Sequence, residues 1–586
     1  MMIIIRSVTA WTTVLIAGLV RYSEGLQQLQ QVAPCSLEYF SKIVPAGLNA
    51  ERVENVTTGY FVEAGNLGYP SFASGLPLLC AVIIQNTTAD YRFGMFLPDT
   101  WNSKLLVVGN YAFLGGINWL DMGPGPKYGG MASLSTDTGH NSGAGDQTWA
   151  DTDRKKRNWA YEALEGSIRS GKSLIQAYYD DAPIAYTYFS GCSTGGRQGL
   201  KQIQRDPDVF DGALIGAPAW DTKHLMPWVS KLAVWNLPEN ASYALSDPSL
   251  FTRLQAEVLA QCDHLDGVRD NIVSAPDLCR QAFDFTKIRC GTAAAGSGSD
   301  DGCWTQPQID TARKMYGDYT TANGTLIYSG LTHGSEAEWT SYLFPIAPEA
   351  YNVRRNFDAQ FERYFLNYGP DWPITAYNDS VVDDPMDSYP GGGRSGGGAD
   401  DGSEEPPPAV AATADQYDLG RRFREHGHKV ILYGGLADGV VPVRHTTLYY
   451  ERTKEATGAL DGFLRYFQIP GMGHCWGTAA GVRAPWMLGG AGQAAQWPPY
   501  NAGWSVPLGF DDARHDALLA LVAWVERARA PDQIVASEFD VTTDAAGQAV
   551  VSLYRQRPVC AYPRVAVWDE GRGAQDEAES WRCEEV

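Results

Sequence analysis

One short stretch restricts this chain more than any other. The apolar run 184–189 leads directly into Gly191-Cys192-Ser193-Thr194-Gly195-Gly196, and the helix-compatible segment 197–205 leads out of it. The string fits G-x-S-x-G. Glycine on both sides of the serine lets a strand and a helix approach through a sharp turn. The hydroxyl then stands at the tip, with the positive end of the helix behind it. An ordinary glycine-rich strand-to-helix turn gives the same string, so the rest of the chain must supply what a nucleophilic serine needs.

The surrounding pattern points to an α/β fold. Short apolar runs bounded by Gly, Pro or Asp occur at 105–108, 184–189, 213–215, 430–433 and 463–467, and helical patterns at 199–205 and 516–529. The second helical pattern carries a stripe of Leu518, Leu519, Leu521, Val522 and Val525. Strands alternating with helices give a parallel sheet covered on both faces. At 586 residues the chain exceeds one ordinary domain. Residues 221–387 are rich in Trp, Tyr, Asp and Cys and poor in strand signals, so they read as an insertion above the C-terminal edge of the sheet, where open α/β sheets bind ligands. Residues 390–408, PGGGRSGGGADDGSEEPPP, cannot pack a core and are expected to form a mobile loop.

A serine nucleophile needs a base, and the base needs an orienting acid. In a strand–turn–helix setting of this kind the chain order is Ser, acid, His. His474 lies in the turn Gly471-Met472-Gly473-His474-Cys475, after the run 463–467. Asp438 follows the run 430–433 through Gly434-Gly435-Leu436-Ala437. A lone His or Asp is more often a structural residue. Three residues in the right order, each just past an expected strand, point to Ser193 as nucleophile, Asp438 as acid and His474 as base. If Ser193 and His474 meet, their neighbours Cys192 and Cys475 come close enough to bond; pairing elsewhere is the alternative.

Composition sets other classes aside. A net charge of −22 repels phosphate backbones, which argues against nucleic-acid binding. Arg6 is the only charge before the apolar run 8–20, and polarity returns at Arg21 to Gly25. Residues 1–25 therefore read as a signal peptide, with a signal anchor as the alternative and no membrane partner expected. Ten cysteines and the sequons at Asn55, Asn86, Asn240, Asn323 and Asn378 fit a secreted, extracellular protein. Asp263, Asp266 and Asp270 crowd eight residues around Gly267. Calcium wants such a gathering of oxygens, although a solvated acidic loop looks the same and the spacing is not that of an EF-hand.

Taken together, these residues resemble the tannase and feruloyl esterase family, whose signature is Cys-Ser, Asp and His-Cys in that order with the two cysteines bridged. Here they are Cys192-Ser193, Asp438 and His474-Cys475. Val108-Gly109-Asn110-Tyr111-Ala112-Phe113, Ser135-Thr136-Asp137-Thr138-Gly139-His140, Gly195-Gly196-Arg197-Gln198-Gly199 and Gly216-Ala217-Pro218-Ala219 resemble further segments of the family. The likeness runs from about Cys35 to Cys583. It departs at Gly434, where the family usually has histidine, and in the length of 390–408.

The resemblance implies an α/β-hydrolase core in two parts, 26–220 and 416–586, with an inserted lid domain at 221–415. It implies disulfides Cys35–Cys80, Cys262–Cys279, Cys290–Cys303 and Cys560–Cys583 beside Cys192–Cys475. It implies an oxyanion hole made by the N–H of Thr194 and one from Asn110 or Tyr111. It implies a structural calcium in the lid, held by the side chains of Asp263, Asp266 and Asp270 and the backbone oxygens of Val268 and Ile272. The activity it implies is serine ester hydrolysis. The acyl group is ferulate or a related hydroxycinnamate on plant cell-wall sugars, or gallate in tannins, and the shared triad does not separate the two. From another class, a non-catalytic secreted binding protein on a hydrolase scaffold would usually lack a triad member.

Overall fold

The computed structural model describes residues 33–69, 72–143, 146–291, 302–342, 359–383, 407–493, 510–544 and 549–585. The expected leader 1–25 lies outside them, as does all of the Gly/Pro-rich segment 390–408 except its last two residues.

Nine strands form one mixed sheet: β1 (Leu48–Val56), β2 (Leu79–Asn86), β3 (Tyr91–Pro98), β4 (Lys104–Val108), β5 (Ala132–Thr136), β6 (Tyr186–Cys192), β7 (Gly212–Gly216), β8 (Lys429–Gly435) and β9 (Leu464–Ile469). Their order across the sheet is β1-β2-β3-β5-β4-β6-β7-β8-β9. The first four in that order pair antiparallel and the rest parallel. Parallel neighbours need crossovers, and helices supply them. Helix α1 (Ala163–Tyr178) joins β5 to β6, and α2 (Thr194–Arg205) joins β6 to β7.

Side chains alternate along each strand, so the sheet builds two cores. Leu105 and Val107 face a core shared with Leu164 and Leu174 of α1 and Leu200 and Ile203 of α2. Leu106, Val108, Tyr188, Leu214 and Ile431 face the opposite core. A sheet buried on both faces, antiparallel at one edge, with a strand–serine–helix turn at its centre, is the α/β-hydrolase fold.

The crossover from β7 to β8 is the long one. It holds α3 (Thr222–Trp235), α4 (Pro248–Cys262), α5 (Gln306–Tyr316) and α6 (Glu336–Tyr342); its strands among the described residues, Tyr319–Thr320 and Leu326–Tyr328, are short and stay apart from the main sheet. These helices share a third core around Trp228, Leu254, Trp304 and Trp339, which Phe113 joins from the loop after β4 and Trp159 from the helical turn that leads into α1. The insertion is thereby seated on the C-terminal ends of the strands. Beyond it come α7 (Val443–Thr457) and α8 (Ala517–Arg527), whose Leu518, Leu521 and Trp524 cover the second core. Asp516 caps α8, its side chain accepting from Leu519 N–H at 2.9 Å, a contact worth about 1 kcal/mol. A C-terminal hairpin, β10 (Gln533–Thr543) and β11 (Ala549–Cys560), ends the described chain with a smaller two-stranded sheet. The five disulfides are Cys35–Cys80, Cys192–Cys475, Cys262–Cys279, Cys290–Cys303 and Cys560–Cys583.

Candidate active site

The site begins where β6 stops. β6 ends at Cys192, α2 starts at Thr194, and Ser193 between them has φ +62° and ψ −122°. A non-glycine residue there costs about 1–3 kcal/mol, so its surroundings must hold it. They do: Ser193 N–H donates to Gly216 O at 3.0 Å, and Ser193 O accepts from Arg197 N–H at 3.0 Å and Ala219 N–H at 3.1 Å.

The candidate acid and base follow β8 and β9. Asp438 lies three residues past β8, fully buried, and its Oδ1 accepts from Val440 and Val441 N–H, both at 2.8 Å. That leaves Oδ2 facing His474 Nδ1 at 2.9 Å. With Nδ1 carrying the proton toward the carboxylate, Nε2 is the ring nitrogen left to act as base. Burial works against the charged ring, but the charge and hydrogen bond of Asp438, joined by the charge of Glu338, hold His474 above the usual histidine range.

Bringing His474 to Ser193 requires the chain after β9 to pass back over β8 and β7. That is three strand spacings, about 14 Å. Two strand ends make room. A Cβ on Gly435 would meet Met472 O at 2.1 Å, and one on Gly216 would meet Cys192 Sγ at 2.8 Å. The Cys192–Cys475 bond then fastens the crossing, next to the serine on one side and the histidine on the other.

Ser193 and His474 both line a cavity of about 320 Å³. Its other walls come from Tyr111 and Phe113 after β4, Trp159 before α1, and Leu225 and Met226 of α3. Among the described residues no carboxylate, lysine or arginine lines it. The sequence motif after the serine supports these walls. Arg197 is buried, donates to the carbonyls of Trp159, Ala160 and Ala412, and stacks on the Trp159 ring at 4.3 Å. Gln198 Oε1 accepts from Asn110 N–H at 2.9 Å.

That last bond bears on the oxyanion donors. Asn110 N–H is committed to Gln198, and Tyr111 N–H donates to the Tyr69 hydroxyl at 2.6 Å. Thr194 is different: as the first residue of α2 its N–H has no carbonyl within the helix to bond.

The acidic loop after α4 lies apart from the triad in sequence. Asp263 Oδ1 accepts from the N–H groups of Asp270, Asn271 and Ile272 at 3.1, 2.7 and 3.1 Å, and Asp266 Oδ1 from Val268 N–H at 3.0 Å. Asp270 Oδ2 pairs with Arg557, while its buried Oδ1 has no hydrogen-bond partner. The sequon residues Asn55, Asn240, Asn323 and Asn378 are exposed; Asn86 is half-buried and its amide donates to the Tyr91 hydroxyl.

No sequence pattern marks Glu338, yet it joins the site. Its Oε1 accepts from His474 N–H at 2.8 Å and its Oε2 from Gly439 N–H at 2.7 Å. Nor does any pattern assign Phe113, Trp159, Leu225 and Met226 to one wall, because they meet only when the insertion docks on the core. An aromatic or apolar residue just past a strand end is a signal too common to select them.

Comparison with known proteins agrees with this geometry. A family model described as tannase and feruloyl esterase matches residues 80–584. An uncharacterized esterase of Xanthomonas campestris pv. campestris is 31% identical over 564 residues, covering 89% of this chain and 87% of its own. A probable feruloyl esterase B-1 of Aspergillus flavus is 28% identical, covering 93% and 92%. The crystal structure of feruloyl esterase B from Aspergillus oryzae has the same fold, with a TM-score of 0.75 at 24% identity, covering 94% of this chain and all of that one (100%). With its triad order, its bridged cysteines and these matches, the chain belongs to the tannase and feruloyl esterase family.

Proposed function

We propose that this protein is a secreted serine carboxylic ester hydrolase that releases ferulate or related hydroxycinnamates from plant cell-wall esters. The observation that carries the reading is the Asp438–His474 pair set beside a strained Ser193 in the wall of one apolar cavity. His474 Nε2 takes the Ser193 proton as Oγ attacks the ester carbonyl. Thr194 N–H stabilises the oxyanion. A second donor from Asn110 or Tyr111 requires release of its present bond, and Tyr111 has only the Tyr69 hydroxyl to give up. The alcohol leaves with the proton from His474, and water, deprotonated by the same ring, frees the acid. Residues 221–415 act as the lid that supplies the acyl pocket. Intact triad residues weigh against a non-catalytic binding protein. Five disulfides, and the lack of any membrane-length apolar helix among the described residues, fit an extracellular site of action, with glycans on the exposed sequons.

The pocket wall favours ferulate over gallate. Gallate buries three ring hydroxyls and ferulate one, and each buried hydroxyl without a partner costs about 1–3 kcal/mol. The apolar wall offers few partners. We therefore expect kcat/KM for methyl ferulate to exceed that for methyl gallate by about 10-fold or more. Parallel assays on the two esters check this, and faster gallate release makes the protein a tannase.

The acidic loop is proposed to hold a structural calcium ion. The orphaned buried Oδ1 of Asp270 fits a cation, and carboxylate oxygens of Asp263 and Asp266 with the carbonyls of Val268 and Ile272 would complete the set. The ion would stiffen the lid and take no part in acyl transfer. Prolonged chelation should lower Tm by several degrees, about 1–3 kcal/mol by mass action, while initial rates fall little. Metal analysis finding no calcium in the purified protein contradicts this assignment.

A further inference from the structure

We infer that Glu338, carried by the insertion, is a positioning residue for the triad: its single carboxylate ties the loop of the acid to the loop of the base. The inference rests on the triad reading above and extends it to a residue that touches neither substrate nor the reacting atoms.

The geometry is specific. Gly439, directly after Asp438, and His474 itself present their N–H groups to the two different oxygens of Glu338, at 2.7 and 2.8 Å. Two N–H donors on two oxygens suit an ionised carboxylate, which only accepts. A neutral acid would have to turn an O–H toward one of those donors. The contact is also close: a Cβ on Gly473 would meet Glu338 Oε1 at 2.3 Å, and one on Gly439 would meet Glu338 Cβ at 2.8 Å. The Asp438–His474 hydrogen bond closes a small ring of contacts, Glu338 to the Asp438 loop, Asp438 to the His474 ring, and His474 backbone to Glu338. Ser335 and Trp339, in and beside the same helix, are buried and bonded to each other at 3.0 Å, which fixes the helix that carries the glutamate.

The charged groups facing Glu338 are Asp438 and His474. Burial raises the Glu338 carboxyl and the Asp438 charge raises it further, while His474 opposes both. In return the Glu338 charge adds to that of Asp438 in holding the His474 ring above its usual range. The base must be neutral to act, so activity rises with pH through the His474 pKa. Loss of the Glu338 charge moves that rise to lower pH.

The test uses the full-length protein and two variants. Glu338→Gln replaces one acceptor oxygen with an NH₂ that must face an N–H donor, and it removes the charge. Gly473→Ala keeps the charge but pushes the carboxylate off His474. Both are expected to lower kcat by about 10-fold or more, since small displacements of a base are costly, with KM changed less than about 2-fold because the acyl pocket is untouched. Only Glu338→Gln should shift the acidic limb of the kcat/KM profile to lower pH. Should Glu338→Gln not fold, Gly473→Ala decides by its kcat. Wild-type kcat and an unmoved acidic limb in folded Glu338→Gln, or wild-type kcat in Gly473→Ala, overturn the inference. Ser193→Ala run alongside separates the two levels: if it stays active the triad reading fails, and if it is inactive while Glu338→Gln behaves as wild type only the role of Glu338 fails.

Discussion

Ser193→Ala is expected to lose ester hydrolysis by about 10⁴- to 10⁶-fold and to keep its fold. The loss corresponds to about 5–8 kcal/mol of transition-state stabilisation. It is large because the hydroxyl is the atom that bonds to the substrate, and no neighbouring group in the cavity offers a second oxygen backed by a base. The residual rate comes from Thr194 N–H and the pocket, which still bind the polarised ester. Stability should change little. Alanine keeps the Cβ that makes φ +62° costly, and the three backbone bonds that hold the turn do not involve the hydroxyl. Steady-state rates with far-UV spectra and Tm for both proteins check the expectation. More than a few per cent of wild-type activity in a folded Ser193→Ala contradicts it.

The second large effect belongs to the covalent clamp. Cys192–Cys475 closes 283 residues of sequence, and a loop of that size is worth about 5.6 kcal/mol in the chain-entropy model, an upper figure because native strain subtracts from it. The local effect adds to the global one. His474 sits on a loop that has left β9 and crossed two strand ends, and the contacts that hold it there include those of its ring and backbone with Asp438 and Glu338 and the bond one residue later. Cys192→Ala with Cys475→Ala should therefore lose several degrees of Tm and about 10- to 100-fold in kcat, with the rate loss visible well below the melting temperature. Changing both residues avoids a free thiol beside the serine. A variant that melts early yet turns over at the wild-type rate at low temperature limits the bond to a stabilising role.

The chemistry of this chain was more legible than its frame. The placement of Ser193, Asp438 and His474 is legible because each sits just past a strand. Their meeting could not be read from spacing, since it depends on Gly216 and Gly435 opening a path over the sheet. The strand before the serine runs to Cys192, three residues past the apolar run, because backbone pairing with β7 continues through Gly191. Helix α1 is hard to read from the sequence for a physical reason. Gly166 and Gly171 weaken its helical pattern, yet a Cβ at either would strike Tyr91 or Leu134 on the sheet, at 2.0 and 2.1 Å. Close packing won over propensity. The antiparallel edge β1–β3 and the C-terminal hairpin are also not legible in the sequence. Leu79–Asn86 is apolar for most of its length, and periodicity alone cannot place such a run in strand or helix. Glu338 was illegible in principle: a glutamate in an acidic chain acquires meaning only from the two N–H groups it meets.

The oxyanion donors show the limit of carrying roles along a sequence. Asn110 and Tyr111 lie next to the serine's helix, but their N–H groups are bonded to Gln198 and Tyr69. A loop can be placed correctly while its donors are turned to other acceptors.

The central claim is that Ser193 is the nucleophile and that it is fastened to its base. Labelling with a serine-reactive aryl phosphonate, followed by peptide mapping without reduction, tests both parts at once. The account predicts one adduct per chain, on Ser193, in a peptide joined through Cys192–Cys475 to the peptide that holds His474. An adduct on another serine, undiminished labelling of Ser193→Ala, or a labelled peptide not joined to that of His474 would contradict it.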